Sequence, residues 1–340
     1  MPTHKLIDRR QLIYLAILAI AVFLLVPRII GFERVAQLLY DAQPVYLAIA
    51  LVAEMTRYFT SAGSTLALAR LFDREVPFVP MTEAFFAGAA LNRVFSTGGA
   101  PGMVVRLVFL LKHRVTTGSV AAIFLIEDLI GLIIGGIVFL VGVTTLATNQ
   151  PSDFLGNLVL GFLIGTVPLA LASIYVFRNR PGVERIIHGL ARFADSIVKR
   201  LFHRSPYTYE RVERSIDDFY LGLTAARNRP HLVAVSFGMN VLRYAAGGAA
   251  LYFVFLSLHQ VISPGVLILL YTTTSLLTST SAILGEVAIM GTGFAVLSLS
   301  LGIAPEVAIF ALILSRATAF WMPLPIGFLA LLHLRRRHHL

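Results

Sequence analysis

The class of fold is decided by residues 115–146, which read VTTGSVAAIFLIEDLIGLIIGGIVFLVGVTTL. Apart from Glu127 and Asp128 this stretch is uncharged, and it exceeds the about 20 apolar residues that a helix needs to cross a bilayer. Similar runs extend in both directions along the chain of 340 residues, which is 57% hydrophobic and only 14% charged. A soluble domain has about 25% charged residues, so the composition predicts an all-α, polytopic membrane protein.

Six runs are long and apolar enough to predict spanning helices. They are residues 12–31, 44–70, 115–146, 154–177, 231–258 and 305–332. Two further apolar stretches, 81–111 and 266–302, are interrupted by Gly, Ser or Thr next to polar or charged residues. Each of the two predicts a broken helical hairpin, either re-entrant or paired across the membrane.

Lys and Arg lie almost entirely on one side of the predicted membrane. Residues 178–229 contain eleven of them, whereas the connections on the opposite side contain Arg34 alone. The positive-inside rule therefore places both termini of this multi-pass protein in the cytoplasm, and we expect the membrane to be the cytoplasmic (inner) membrane of a prokaryote. The net charge of +10 is then mostly a topology signal, and no nucleic-acid partner is expected.

An internal repeat divides the chain, which we expect to form a single transmembrane domain over residues 1–340. Arg57, Gly98 and Asp128 correspond, at a nearly constant offset, to Arg243, Gly285 and Arg316. The predicted parts are a first inverted repeat (1–146), the first helix of the second repeat (147–177), a basic amphipathic cytoplasmic loop (178–230) and the rest of the second repeat (231–340). Inverted repeats with broken helices are typical of transporters, and coincidence among three matched positions is the alternative explanation.

The basic loop contains apolar residues at helical spacing, from Val183 and Ile186 to Ile197 and Leu201. This pattern predicts an amphipathic helix. Two interpretations stay open: the helix lies on the anionic inner leaflet, or it packs on the protein's own cytoplasmic face.

Glycine and proline mark the predicted breaks. Residues 92–102 read NRVFSTGGAPG, and residues 272–286 read TTTSLLTSTSAILGE. Glycine permits turns and proline removes an amide donor, so a continuous helix is not expected there. The hinge and break residues that we predict are Gly98, Gly99, Pro101, Gly102 and Gly285.

Charged residues inside the apolar segments are the candidates for substrate binding, because burying a charge in a bilayer is costly. The candidates are Arg57, Arg93, Arg106, Arg243, Arg316, Glu54, Glu127, Asp128 and Glu286. Glu54 and Arg57 stand three residues apart, which suits a local ion pair. The planar arginine fork matches a phosphate, although a merely structural polar core would result if each acid neutralised one arginine.

The sequence lacks the motifs of the common enzyme classes. It contains no HExxH, GxSxG, P-loop or dinucleotide motif, and there are 0 Cys. We therefore expect no catalytic residues, no metal and no cofactor, and we predict a transporter rather than an enzyme.

Several of these motifs together resemble the lysylphosphatidylglycerol synthase transmembrane, or flippase-like, family. The resemblance rests on Asn92 to Arg106 with the LLKHR that follows, on Glu127-Asp128, on Leu284-Gly285-Glu286, and on Arg316 with Trp321, Pro323, Pro325 and Gly327. Members commonly have a Glu shortly after the paired glycines, whereas Ala100, Pro101 and Gly102 follow here. The resemblance includes the membrane domain of the multiple peptide resistance factor and implies a flippase without the soluble aminoacyltransferase domain.

The implied function is translocation of an anionic or aminoacylated phospholipid, or of a polyprenyl-phosphate lipid, through an arginine-lined cavity. Phosphatidylglycerol is the simplest such substrate, and a separate lipid synthase or glycosyltransferase is an implied partner, with oligomerisation left open. Three alternatives remain: a membrane enzyme acting on lipid phosphates, a membrane anchor for a synthase, and a coupled transporter of a soluble solute.

Overall fold

The described part of the chain is helical throughout. The computed structural model describes residues 42–95, 99–147, 152–202, 208–280, 294, 296–321 and 323–337, and no strand occurs among them. The helices are α1 (Pro44–Ala69), α2 (Phe78–Phe95), α3 (Ala100–Lys112), α4 (Thr117–Leu146), α5 (Ser152–Arg178), α6 (Arg180–Phe202), α7 (Tyr209–Asn228), α8 (Pro230–Ser257), α9 (Pro264–Thr280), α10 (Pro305–Arg316) and α11 (Pro323–Arg336). The all-α prediction is confirmed.

Four helices in the described part of the chain are long and apolar enough to cross a membrane. They are Thr117–Leu146, Asp153–Arg178, Pro230–Ser257 and Val307–Arg336, the last including a π-helical turn, Ala317–Trp321. Few residues of α5 are fully buried, and Leu160, Ile164 and Leu171 are each more than half exposed. An apolar surface of this size requires a lipid environment, so the chain is a multi-pass membrane protein.

Two of the six predicted spans are not among these four. The predicted span 12–31 lies outside the described residues. Helix α1 is 26 residues long, but Glu54, Arg57 and several hydroxyl side chains lower its hydropathy. The prediction of six spans therefore stays a prediction.

Helices α1 and α8 pack against each other in antiparallel directions. At one end, the backbone N–H of Gln43 donates to the carbonyl of Ser257 at 3.0 Å. At the other, Arg229 Nη1 donates to Asp73 Oδ1 at 2.6 Å. This hydrogen bond lowers the pKa of the Asp73 carboxyl below its usual range, so the contact is ionised at neutral pH. The two helices are therefore hydrogen-bonded to each other at both ends.

A buried polar cluster lies inside the α1–α8 interface. The hydroxyls of Ser64 and Ser236 are 2.8 Å apart, and Asn240 Nδ2 donates to Ser64 Oγ at 2.8 Å. Gly63 leaves the space that the Met239 side chain fills. Because polar groups in an apolar interior must meet partners, this cluster fixes the register of the two helices.

Helices α2 and α3 form the first predicted hairpin. A Cβ added at Gly88 would lie 2.9 Å from the Gly102 Cα, so the two helices touch backbone to backbone. Gly99 has a left-handed backbone (φ 87°), and Asn92 Oδ1 accepts from the Gly102 N–H at 2.6 Å. The reversal precedes Pro101, which lies in the first turn of α3, where its missing N–H leaves no helical bond unmade.

Whether this hairpin re-enters or crosses the membrane stays a prediction. Helix α3 has 13 residues and is therefore about 20 Å long, shorter than the about 30 Å hydrocarbon core. The second predicted break, residues 272–286, is helical over residues 272–280, because α9 runs from Pro264 to Thr280, so the chain does not break there. Residues 281–286, with Gly285, lie outside the described residues, as does Gly98 in the first break. The inverted repeat is likewise untested.

The basic loop folds as two helices that differ in how they pack. Helix α7 docks on α4, where the backbone carbonyl of Ser215 approaches Gly118 so closely that a Cβ there would lie 1.9 Å from it. Helix α6 buries Val183 but leaves Ile186 52% exposed. The predicted amphipathic segment, Val183 to Leu201, is helical and lies within α6, whereas α7 is a separate helix beyond that segment. The orientation of α6 stays a prediction.

Gly118→Ala tests the docking of α7 on α4. We expect it to destabilise the protein by about 1–3 kcal/mol, because the new methyl group overlaps the Ser215 carbonyl. Thermal unfolding in detergent measures the effect. Gly136→Ala in the same helix is the matched control, since a Cβ there meets nothing within 4 Å. Equal unfolding temperatures for the two variants would contradict the packing.

Candidate functional site

A cavity of about 550 Å³ lies between α1, the α2–α3 hairpin, α8, α9 and the α10 segment. Its charged and polar lining comprises Glu54, Arg57, Tyr58, Ser61, Asn92, Arg93, Arg106, Arg243, Tyr271, Thr274, Ser275, Ser315, Arg316 and Thr318. All five arginines that the sequence analysis selected line this one cavity. Gly99 and Gly102 also line it.

The antiparallel register brings two of the arginines to the same level. The contacts of Gln43 with Ser257 and of Ser64 with Ser236 align α1 with α8. In that alignment Arg57 and Arg243 occupy equivalent positions on the two helices. Two cations from distant parts of the sequence therefore face one space.

Arg57 is neutralised by its own helix. Its Nη1 donates to both carboxylate oxygens of Glu54, at 2.7 and 2.8 Å. Glu54 is almost fully buried, whereas the Arg57 side chain remains 35% exposed towards the cavity. The predicted local ion pair is confirmed, and it holds the guanidinium in place.

Arg106 is also neutralised. Its Nη2 donates to Glu127 and, at 3.1 Å, to Thr65 Oγ1, which itself donates to Glu127. The guanidinium carbon lies 4.3 Å from the ring centre of Phe85 and 4.5 Å from that of Phe124, so two aromatic faces enclose it. Glu127 therefore does not line the cavity itself, but it pairs with Arg106, which does.

Arg93 links the end of α2 to the π-helical turn. Its Nη2 donates to Tyr58 Oη at 2.9 Å and to the Ala319 carbonyl. That carbonyl is available because Pro323, four residues later, has no N–H to donate to it. The sequence analysis did not predict this contact. The signal for it was Pro323, which leaves the carbonyl four residues earlier without its helical donor.

Arg243 differs from Arg57 and Arg106. It makes no ion pair with any carboxylate in the described part of the chain, and its guanidinium carbon lies 5.7 Å from the Tyr244 ring centre. Tyr244 is held by a 3.1 Å hydrogen bond to the Gly131 carbonyl, and Gly131 leaves room for the Arg243 guanidinium. Tyr271, which lines the cavity and packs edge to face on Tyr244, is a further site residue that the sequence did not identify.

The remaining predicted residues are placed as follows. Asp128 is exposed and does not line the cavity, and neither does Pro101. Glu286, Gly98 and Gly285 lie outside the described residues. Over the ranges that the structure describes, no three His, Asp or Glu side chains gather as metal ligands.

The described lining of the cavity contains more cationic than anionic side chains. Five of the described lining residues are arginines and one, Glu54, is a carboxylate, while Glu127 pairs with Arg106 from outside the lining. Because guanidinium groups stay protonated at any accessible pH, this positive charge is permanent. Such a cavity favours an anion, and its planar donors suit a phosphate or carboxylate.

The fold and the cavity define a polytopic, all-helical membrane protein with a charged site inside the bundle. The family model described as the lysylphosphatidylglycerol synthase TM region matches residues 11–327, and the chain belongs to that family. The resemblance inferred from the motifs is thereby confirmed. A comparison with curated proteins finds no match.

Arg106→Leu tests whether that arginine serves mainly to neutralise Glu127. We expect it to cost about 3–5 kcal/mol of stability, since it leaves the Glu127 carboxylate buried without a counter-charge. The double variant Arg106→Leu/Glu127→Leu should recover most of the loss in thermal unfolding. Arg243→Leu, which breaks no ion pair among the described residues, is the control and should unfold close to wild type. A double variant less stable than Arg106→Leu would contradict the pairing.

Proposed function

We propose that this protein is a lipid flippase or scramblase. Its substrate is an anionic or aminoacylated phospholipid, or a polyprenyl-phosphate lipid, and it acts in the cytoplasmic membrane of a prokaryote with both termini in the cytoplasm. The observation that carries the proposal is Arg243, whose charge faces the cavity without an ion-pair partner among the described residues. A permanent cation inside an apolar bundle is costly unless a ligand or water compensates it.

The proposed ligand group is the headgroup phosphate. Arg57 and Arg243 converge from opposite helices, and the fork of each can donate to phosphate oxygens. A cavity of about 550 Å³ lies in the range of small-ligand pockets, so it accommodates a headgroup while acyl chains stay in the bilayer. Arg93, Arg106 and Arg316 complete the arginine-rich lining.

The acids have different proposed roles. Glu54 and Glu127 hold Arg57 and Arg106 in position, as their ion pairs indicate. The sequence proposes Asp128 and Glu286 as contacts for a headgroup amine, but Asp128 does not line the described cavity, so this role would need a headgroup position outside it. Because Glu54 and Glu127 are engaged by arginines, they are poorly placed to act as general bases, which disfavours the membrane enzyme.

The conformational change that transport requires would occur at the predicted helix breaks. We propose that Gly98, Gly99, Pro101, Gly102 and Gly285 let the two hairpins shift in two inverted repeats around the cavity. The sequence has no nucleotide-binding motif, so the movement is proposed to be downhill or coupled to an ion gradient. A separate lipid synthase or glycosyltransferase would supply a modified lipid.

Reconstitution in liposomes tests the proposal. Fluorescent phosphatidylglycerol in the inner leaflet should become accessible to an impermeant quencher faster than in empty liposomes. Arg243→Gln should slow this exchange by about tenfold to a hundredfold, the effect of losing a charged hydrogen bond to the phosphate.

The matched control is Arg211→Gln, an exposed arginine on α7. It should exchange lipid like wild type. If wild type matches empty liposomes with several anionic lipids and an imposed proton or sodium gradient, lipid translocation is refuted. If Arg243→Gln exchanges lipid normally, the cavity is not the path.

A further inference from the structure

A second cavity, of about 350 Å³, opens on the outside of the bundle between α2 and α11. Phe59 and Phe78 form one apolar wall, and Ile326 and Leu329 form the other. All four side chains are more than a third exposed. We call this space the α2–α11 groove.

The groove is separate from the arginine cavity. The ring of Phe86, which lines the groove, stacks on the ring of Tyr58, which lines the cavity, with their centres 4.2 Å apart. Gly327 lets the two helices approach, because a Cβ there would lie 2.3 Å from the Phe86 carbonyl. This packed wall separates the groove from the arginine cavity, so a molecule bound in one space does not fill the other.

A pair of titratable side chains joins the two helices across the groove, with Glu83 between Val79 and Phe86 along α2. His333 Nδ1 on α11 lies 2.8 and 2.9 Å from the two carboxylate oxygens of Glu83 on α2. Since Glu83 is engaged by His333, the groove offers an incoming headgroup no free carboxylate among its described lining residues.

One face of α11 continues from apolar to basic. Residues 326, 329, 330 and 333 line the groove at helical spacing, and the next positions on that face are Arg336 and Arg337. The Arg337 N–H still donates to the His333 carbonyl at 3.0 Å, so the helical turn extends to these arginines. Both are exposed, and neither makes an ion pair with a carboxylate that the structure describes.

We propose that the α2–α11 groove binds one anionic phospholipid, with an acyl chain between the apolar walls and the headgroup phosphate on Arg336 and Arg337. The apolar part lies on a helix that is apolar enough to span the membrane, where lipid is the surrounding solvent. Basic residues at the end of such a helix attract anionic headgroups. This site binds lipid without requiring transport.

Photolabelling of the full chain in lipid nanodiscs tests the site. The probes are phosphatidylglycerol and phosphatidylcholine, each with a diazirine in an acyl chain, and labelled peptides are mapped by mass spectrometry. Labelling should concentrate on residues 78–86 and 326–333, with phosphatidylglycerol favoured by about fivefold to tenfold.

Two variants and a control decide the outcome. Arg336→Gln/Arg337→Gln should abolish the preference for phosphatidylglycerol, whereas Arg211→Gln/Arg214→Gln, which removes two exposed α7 arginines, should keep it. Val79→Trp, at the exposed rim, should reduce labelling by both lipids. Equal labelling by both lipids in wild type, or labelling of residues 160–171 on α5 that matches the groove, would overturn the proposal.

Discussion

The antiparallel contact between α1 and α8 is the interaction on which the rest of the site depends. It is closed by Gln43 with Ser257 at one end and by Asp73 with Arg229 at the other. Its register is set by polar side chains in the middle, which have no favourable alternative inside an apolar bundle. Slipping by one turn would separate Ser64 from Ser236 and move Arg57 away from the level of Arg243. The arginine-rich cavity is therefore a consequence of helix packing as much as of composition.

The arginines of the cavity divide into two kinds. Arg57 and Arg106 are each bound by a carboxylate, and Arg106 is further enclosed by two aromatic rings. Arg243 instead lies near Tyr244, beside small residues of α4. Ion pairs inside a bundle keep their members in place, whereas a charge without one is available to a ligand. This division explains how a cavity with many cations can be both stable and receptive to an anion.

The sequence predicted most of the site's chemistry but little of its geometry. Helical runs, the break before Pro101 and all five arginines follow from hydropathy, from the properties of glycine and proline, and from the cost of buried charge. The pair Glu54–Arg57 was predictable because both lie on one helix. The pair Arg106–Glu127 and the contact of Arg93 with Ala319 were not, since they depend on how distant helices pack. Asp128 shows the same limit, because adjacent positions on α4 place Glu127 against Arg106 and Asp128 on an exposed surface.

The most direct test of the central claim is the position of a bound headgroup. An electron cryomicroscopy structure of the full chain in nanodiscs of phosphatidylglycerol would reveal it. We predict density for a phosphate within hydrogen-bonding distance of Arg243 in the cavity, on the side shared with Arg57. A structure in the same nanodiscs would contradict this account if it showed Arg243 bound by a protein carboxylate and no headgroup in the cavity.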